Sequence, residues 1–217
     1  MMHTSVRASE TNADSTRSRG LGRPGLWRWR VVDIVVASVI AVACAGVFLL
    51  WDIVHVGPSA LLTPLLPGLQ ELLAGPWLLA GVLGGLIIRK PGAALYTELV
   101  AAVIESLVGN QWGPLTIVSG LVQGLGAELV FLAFLYASWR LPVALLAGAA
   151  AGLACGINDL ILWYPGSGTL FITIALISAT VSGLIVAGLG GWLITRGLAA
   201  TGALSRFASG RSAAARV

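Results

Sequence analysis

The chain has 217 residues, of which 57% are hydrophobic and only 10% charged. An ordinary soluble domain carries about 25% charged residues, and the charges here crowd the ends: eight in residues 1–30, four in 196–217, and ten in everything between. So continuous an apolar body excludes a soluble globule and, outside the tails, a disordered chain. The net charge of +4 does not point to nucleic acid, because the basic residues sit at the ends and in short loops, where a membrane protein displays them.

A spanning helix needs about 20 mostly apolar residues, and the pattern predicts six. Residues 1–26, rich in Ser, Thr, Ala and Arg, read as a disordered basic tail. The first span is expected over Val31–Trp51, followed by a long apolar loop with Pro58, Pro64 and Pro67 that lies in the interface or folds back over the bundle. The second covers Gly68–Ile88 and is expected to break at Gly75-Pro76, since proline removes a helix hydrogen bond. Arg89-Lys90-Pro91-Gly92 connects it to the third, Ala93–Val108. The fourth is placed at Leu115–Ser138, the fifth at Pro142–Trp163 and the sixth at Thr169–Thr195. The expected organisation is thus a tail (1–26), one transmembrane substrate-binding domain (27–196) and a second basic tail (197–217).

With six spans, both tails and the loops after the second and fourth share one side, and those segments hold all 13 Lys and Arg. The positive-inside rule then puts both termini in the cytoplasm of a multi-pass plasma-membrane protein. Trp27, Trp29, Trp139 and Trp192 fall near the inner boundary, and Trp51, Trp77, Trp112 and Trp163 near the outer one, as an aromatic belt would. The 28 glycines suit close helix packing in lipid. Cys44 and Cys155, inside apolar spans, read as buried small residues.

The acids at membrane depth are the least ordinary feature. Glu98, Glu105, Glu128 and Asp159 lie in spans with no Lys or Arg at similar depth. An ionisable group there costs at least about 2.5–3.5 kcal/mol on insertion scales, so it faces a cavity or a partner. Glu98 and Glu105, seven apart, share a helix face. Glu71, Asn158, Asp159, Trp77, Trp112, Trp163 and Tyr164 fall towards the outer side, with Gln123 a little deeper. Together they predict an outward-facing acidic pocket rimmed by aromatics, suited to a small organic cation through charge and cation–π attraction. The alternative for each acid is a helix–helix hydrogen bond, most plainly for Glu128 on the inner half. No phosphate-binding loop, HExxH motif or Ser–His pair at membrane depth is present, so neither ATP hydrolysis nor another enzyme activity is expected, and no cofactor or metal site.

The segments Arg89-Lys90-Pro91-Gly92-Ala93-Ala94-Leu95, Glu98, Glu105, Gly109-Asn110, Gly113-Pro114 and Val122-Gln123-Gly124-Leu125-Gly126-Ala127-Glu128 resemble the YkoE-type family. Its members are substrate-binding (S) components of energy-coupling-factor (ECF) importers for thiamine or its hydroxymethylpyrimidine precursor. The likeness is densest over 89–128 and looser over about 30–200. It implies an all-α, six-helix S-component bundle that captures the vitamin from outside and works with a transmembrane coupling subunit and cytoplasmic ATP-binding-cassette ATPases. On that resemblance Glu71, Glu105 and Asp159 hold the aminopyrimidine or offset the thiazolium, and Glu98 and Gln123 complete the polar floor beside Asn158. Trp77 and Trp112 would stack on the rings. It further implies docking through an Ala-xxx-Ala surface on the first helix, for which Ala37, Ala41 and Ala45 have the spacing. A self-sufficient proton-coupled carrier of organic cations stays open beside it, because proton relays also use carboxylates without basic partners.

Overall fold

Chain segments that cross lipid must satisfy their backbone groups internally, which leaves helices as the economical solution for apolar runs of this length. The computed structural model, which describes residues 28–205, 207, 209 and 210, is all-helical over those residues. Helix α1 runs Val31–Val54, and a short α2, Val56–Leu62, follows directly. Two 3₁₀ segments, Leu69–Leu73 and Gly75–Leu78, lead into α3, Leu79–Ile88. Then come α4 (Ala93–Val108), α5 (Leu115–Ala133) and α6 (Leu141–Leu162). The last pass is continuous: α7 (Thr169–Ser182), a π-helical stretch Gly183–Gly190, and α8 (Gly191–Ala200). Helices α1, α5, α6 and the α7–α8 rod are long and apolar enough to cross a membrane; Gly75–Ile88 and α4 are shorter.

Helix α3 is the axis of the bundle. It touches α1, α4, α5, α6 and α8, and every residue from Ala80 to Ile88 is buried. Its glycines make that possible: a Cβ on Gly84 would collide with Thr97 on α4, and one on Gly85 with the Phe131 ring on α5. The same close approach holds α6 to the π-helical stretch, where Gly148 faces the backbone of Gly183 and Gly188.

The expected break at Gly75-Pro76 is a change from 3₁₀ turns to α-helix, and its freed backbone groups are recaptured from another pass. Ser182 Oγ accepts from Gly75 N at 2.9 Å and donates to Leu72 O. Helix α5 ends at Ala133, earlier than its apolar pattern suggests. Leu135 and Tyr136 take left-handed backbone conformations (φ 52° and 51°) that turn the chain back. That reversal brings Tyr136 Oη to Glu128 Oε1 at 2.7 Å.

Glu128 itself is structural. Its carboxylate accepts from Gly92 N (2.6 Å), Ala94 N (2.9 Å) and Leu95 N (3.3 Å), the bare N–H groups that open α4. A helix N-terminus carries partial positive charge and unsatisfied donors, so an acid arriving from α5 is stabilised there. At the same end Asp33 is completely buried between Arg30 (2.9 Å) and Lys90 (2.6 Å), tying α1 to the α3–α4 turn. Trp29 Nε1 donates to Pro91 O at 3.0 Å beside it. The Arg89 guanidinium lies over the Trp139 ring and that of Arg196 over Trp192.

Two expectations need correction. Ala37, Ala41 and Ala45 are all 0% exposed and pack with Cys44, Phe48 and residues of α3 and α4. Their small side chains let α1 close on the bundle, so this face is inside the molecule and not a docking surface in this structure. The outward face of α1 carries Val35, Val39, Val42, Val47 and Leu50 instead. The chain beyond residue 196 is also more than a tail: α8 continues to Ala200, and Leu204 and Phe207 are buried against the core. The first tail (1–26) and Trp27 lie outside the described residues, as do Arg206, Arg211 and Arg216.

Replacing Glu128 by Ala is expected to leave the α4 donors bare, at about 1–3 kcal/mol for each buried group left unpaired. A lower thermal midpoint in detergent checks this. Glu128→Gln, which keeps an acceptor oxygen, should lose less.

Candidate functional site

At the end of the bundle away from Arg30, Arg89 and Lys90, the passes separate around a cavity of about 210 Å³. Its position follows from the interrupted second pass. Because Leu69–Leu78 runs as 3₁₀ turns, with Gly68 left-handed (φ 91°) pressed against the α7 backbone, this segment does not fill the space an unbroken helix would take. The loop expected between the first and second spans folds back over the bundle: His55 and Ser59, from the α1–α2 junction, line the cavity.

Carboxylates dominate the lining. Glu71, Glu98, Glu105 and Asp159 all face the cavity, and among the described residues no Lys or Arg does. Glu98, 1% exposed, sits at the floor beside Ala102 and Gly120. Its Oε2 accepts from Gly81 N at the start of α3, while its Oε1 is buried and has no partner. Glu105 accepts from Asn110 Nδ2 at 2.9 Å, and Asn110 also folds the α4–α5 turn by accepting from Trp112 N and Gly113 N. On the opposite wall Asp159 accepts from Cys155 Sγ (3.3 Å) and Asn158 Nδ2 (3.2 Å), and Gln123 Nε2 donates to Cys155 Sγ (3.4 Å). Tyr164, in the α6–α7 loop, lines the cavity with Glu71 and Gln70. Burial and the charge of Glu71 push its phenol above the ordinary value, which keeps it a donor.

Aromatic rings close the mouth. Trp77 and Trp112 meet edge to face with centroids 5.3 Å apart, His55 lies 4.9 Å from Trp77, and Trp51 stands 6.5 Å from Trp77 on its other side. Trp77 Nε1 donates to Asp52 Oδ1 at 2.8 Å, and Trp51 Nε1 to Leu73 O at 2.9 Å. Edge-to-face pairs of this kind are stabilising beyond their buried area, so the wall is set before a ligand arrives.

The structure brings Glu71, Trp77, Glu98, Glu105, Trp112, Gln123 and Asp159 to one cavity. Asn158 is not among its lining residues; its amide is turned to Ser119 Oγ (2.9 Å) and Asp159, so it holds two neighbours in place. His55, Ser59, Phe48, Gln70, Ser119 and Cys155 join the lining without having been singled out for it. A lone histidine in a loop and a cysteine in an apolar span have no sequence signal; the polar Gln70 beside Glu71 was the available hint.

Comparisons with known proteins agree on the family. A family model described as "ABC-type cobalt transport system, permease component" matches residues 32–154. YkoE of Bacillus subtilis (strain 168), whose name describes it as an HMP/thiamine permease, is 41% identical over 184 residues, covering 84% of this chain and 91% of that protein. The chain belongs to the YkoE-type family of ECF transporter S components. A solved structure titled "Crystal structure of an S-component of ECF transporter" superposes with a TM-score of 0.79 at 38% identity, over 87% of this chain and 95% of the other. This S component is thus a substrate-binding component of a transporter, not an enzyme, and a multi-pass membrane protein. Among the described residues no group of three His, Cys, Asp or Glu is placed to hold a metal ion, so the word cobalt in the family description has no matching ligand set here.

Glu98→Gln is expected to weaken binding of an amine-bearing or cationic ligand by about ten- to a hundredfold, the range for losing a hydrogen bond to a charged group. Isothermal titration of purified protein measures it.

Proposed function

We propose that this S component captures thiamine or its hydroxymethylpyrimidine precursor in the cavity between Glu98 and the Trp77–Trp112 wall. The observation that carries the reading is the unpartnered, buried Oε1 of Glu98 at the floor of a cavity lined by four carboxylates and, among the described residues, no Lys or Arg. A buried carboxylate oxygen without a donor is costly, and a ligand N–H or cation would supply what it lacks. The two ends of the cavity suit the two parts of such a ligand. An aminopyrimidine presents donors and a flat face, and a thiazolium presents a fixed positive charge that carboxylates and indole faces attract. The relative named for HMP/thiamine supports the same choice.

In the membrane the mouth faces outside. The described Lys and Arg gather at the opposite end, which the positive-inside rule assigns to the cytoplasm together with both termini. Transport then requires an ECF module, a transmembrane coupling subunit with ATP-binding-cassette ATPases, because none of the residues here forms a phosphate loop. The module meets the outward face of α1 and its neighbours, since the alanine face is occupied within the bundle.

Tryptophan fluorescence tests the reading, with Trp77, Trp112 and Trp163 in the lining as reporters. Quenching that saturates at micromolar or lower thiamine or hydroxymethylpyrimidine is expected. No response to either would refute the assignment. Proteoliposomes containing this chain alone should show no uptake driven by a pH gradient, whereas the complete complex with ATP should.

A further inference from the structure

The aromatic wall of the cavity is pinned from behind by two consecutive residues of α1. Trp51 Nε1 donates to Leu73 O at 2.9 Å, and Asp52 Oδ1 accepts from Trp77 Nε1 at 2.8 Å. The two bonds run in opposite directions between α1 and the segments Leu69–Leu73 and Gly75–Leu78. Those segments are 3₁₀ turns, whose own hydrogen-bond geometry is poorer than that of an α-helix. The orientation of Trp77 therefore depends on what grips its ring. Three rings crowd it, Trp51, His55 and Trp112, with centroids 6.5, 4.9 and 5.3 Å away. Its one polar atom is held by Asp52.

The two acceptors differ in kind. Trp51 is not among the lining residues, and its indole meets a neutral backbone carbonyl; Trp77 lines the cavity, and its indole meets a carboxyl group. A side-chain amide would hold an indole N–H in the same place, whereas an acid in a spanning helix costs at least about 2.5–3.5 kcal/mol on insertion scales. Asp52 does not reach the cavity; it borders a separate groove at the same end of the bundle, beside Asn110 and Gln111. Its Oδ2 is buried without a hydrogen-bond partner, and among the described residues Asp52 forms no ion pair. What the acid adds over an amide is negative charge set along the N–H of the ring. A hydrogen bond to an ionised acceptor is the stronger kind, and it polarises its donor. Here the donor's π-system is the surface that a cation would meet.

We propose that Asp52 is a positioning residue acting through Trp77: it fixes the indole in the cavity wall and makes that ring more electron-rich, so that a cationic ligand is favoured over a neutral one. The inference rests on the functional reading above and assigns part of the site's charge preference to a residue the ligand does not touch. The four lining carboxylates attract positive charge throughout the cavity. The Asp52–Trp77 pair attracts it at one place, the wall, and only through the ring. For thiamine the part concerned is the thiazolium, which hydroxymethylpyrimidine lacks.

Isothermal titration with thiamine and with hydroxymethylpyrimidine, at a mildly alkaline pH where the aminopyrimidine is uncharged, tests this through the ratio of the two affinities. Asp52→Asn keeps an acceptor oxygen for Trp77 Nε1 and removes the charge. The preference for thiamine should then fall by about three- to tenfold, within what a cation–π contact is worth. Trp77→Phe keeps a ring but has no N–H to donate, and it should lower the ratio as well. Adding Asp52→Asn to Trp77→Phe should change the ratio no further, the non-additivity expected of two residues acting as one unit. Melting curves verify that each variant is folded. A folded Asp52→Asn chain with the wild-type ratio overturns the inference. So does an Asp52→Asn effect that is undiminished in the Trp77→Phe background, which would assign it to the field of the carboxylate itself. Should Asp52→Asn fold poorly, a ratio left unchanged by Trp77→Phe alone overturns the inference too. Failure of the wild-type chain to bind either ligand would instead overturn the functional reading on which it rests.

Discussion

Carboxylates inside a bilayer-spanning bundle must each find donors, a counter-charge or a proton, because neither lipid nor packed apolar side chains can solvate them. How each acid here meets that demand divides the molecule. At the basic end the protein meets it fully: Asp33 lies between Arg30 and Lys90, and Glu128 receives three backbone N–H groups and the Tyr136 hydroxyl. Those two acids lock α1 to the α3–α4 turn and α5 to α4. At the other end the demand is met in part, with one oxygen of Glu98 bonded to Gly81 N and the other to nothing. The satisfied acids make a rigid base; the incompletely satisfied ones line the cavity.

The backbone is treated in the same way. A break in the second pass frees peptide groups, and these are recovered by Ser182 from α7. The cost of the irregular segment is thereby confined, and its benefit is room: the 3₁₀ turns of Leu69–Leu78 leave the cavity into which Glu71, Gln70 and Trp77 project. Irregular backbone at membrane depth is tolerated where it lines such a space. Below it, α3 is buried on all sides and held by glycines against α4 and α5, so the floor carrying Glu98 is part of the most tightly packed region. Turns enclose the cavity from above and a tightly packed core from below.

Much of the site was legible before folding, since an acid in an apolar span is conspicuous. Glu71, Glu98, Glu105 and Asp159 could be grouped by depth alone, from a rise of about 1.5 Å per residue, and tryptophans at the same level completed the rim. The separation of Glu128 from them followed from its depth as well. Other residues could not be read in this way. Asn158 has the same polarity and level as Asp159 but a neighbouring position around α6, which sends its amide to Ser119. Asp52, near the end of α1, is the hydrogen-bond acceptor of the Trp77 indole, a pairing between two passes that no spacing announces. The alanines of α1 have a spacing that serves either an outer or an inner face equally well, and only the rotation of the helix in the bundle decides for the inner one.

The shortage and placement of charge in the sequence determined the membrane, the six passes, the gathering of basic residues at one end and the single sign of the site, because transfer free energies act residue by residue and do not wait for a fold. Which acids are satisfied and which are left wanting was decided by tertiary structure alone. Glu98 and Glu128 are both glutamates in apolar helices with glycines nearby. One meets the open N-terminus of a helix and the other meets an empty cavity, and that difference belongs to the packing of α3, α4 and α5 around each of them.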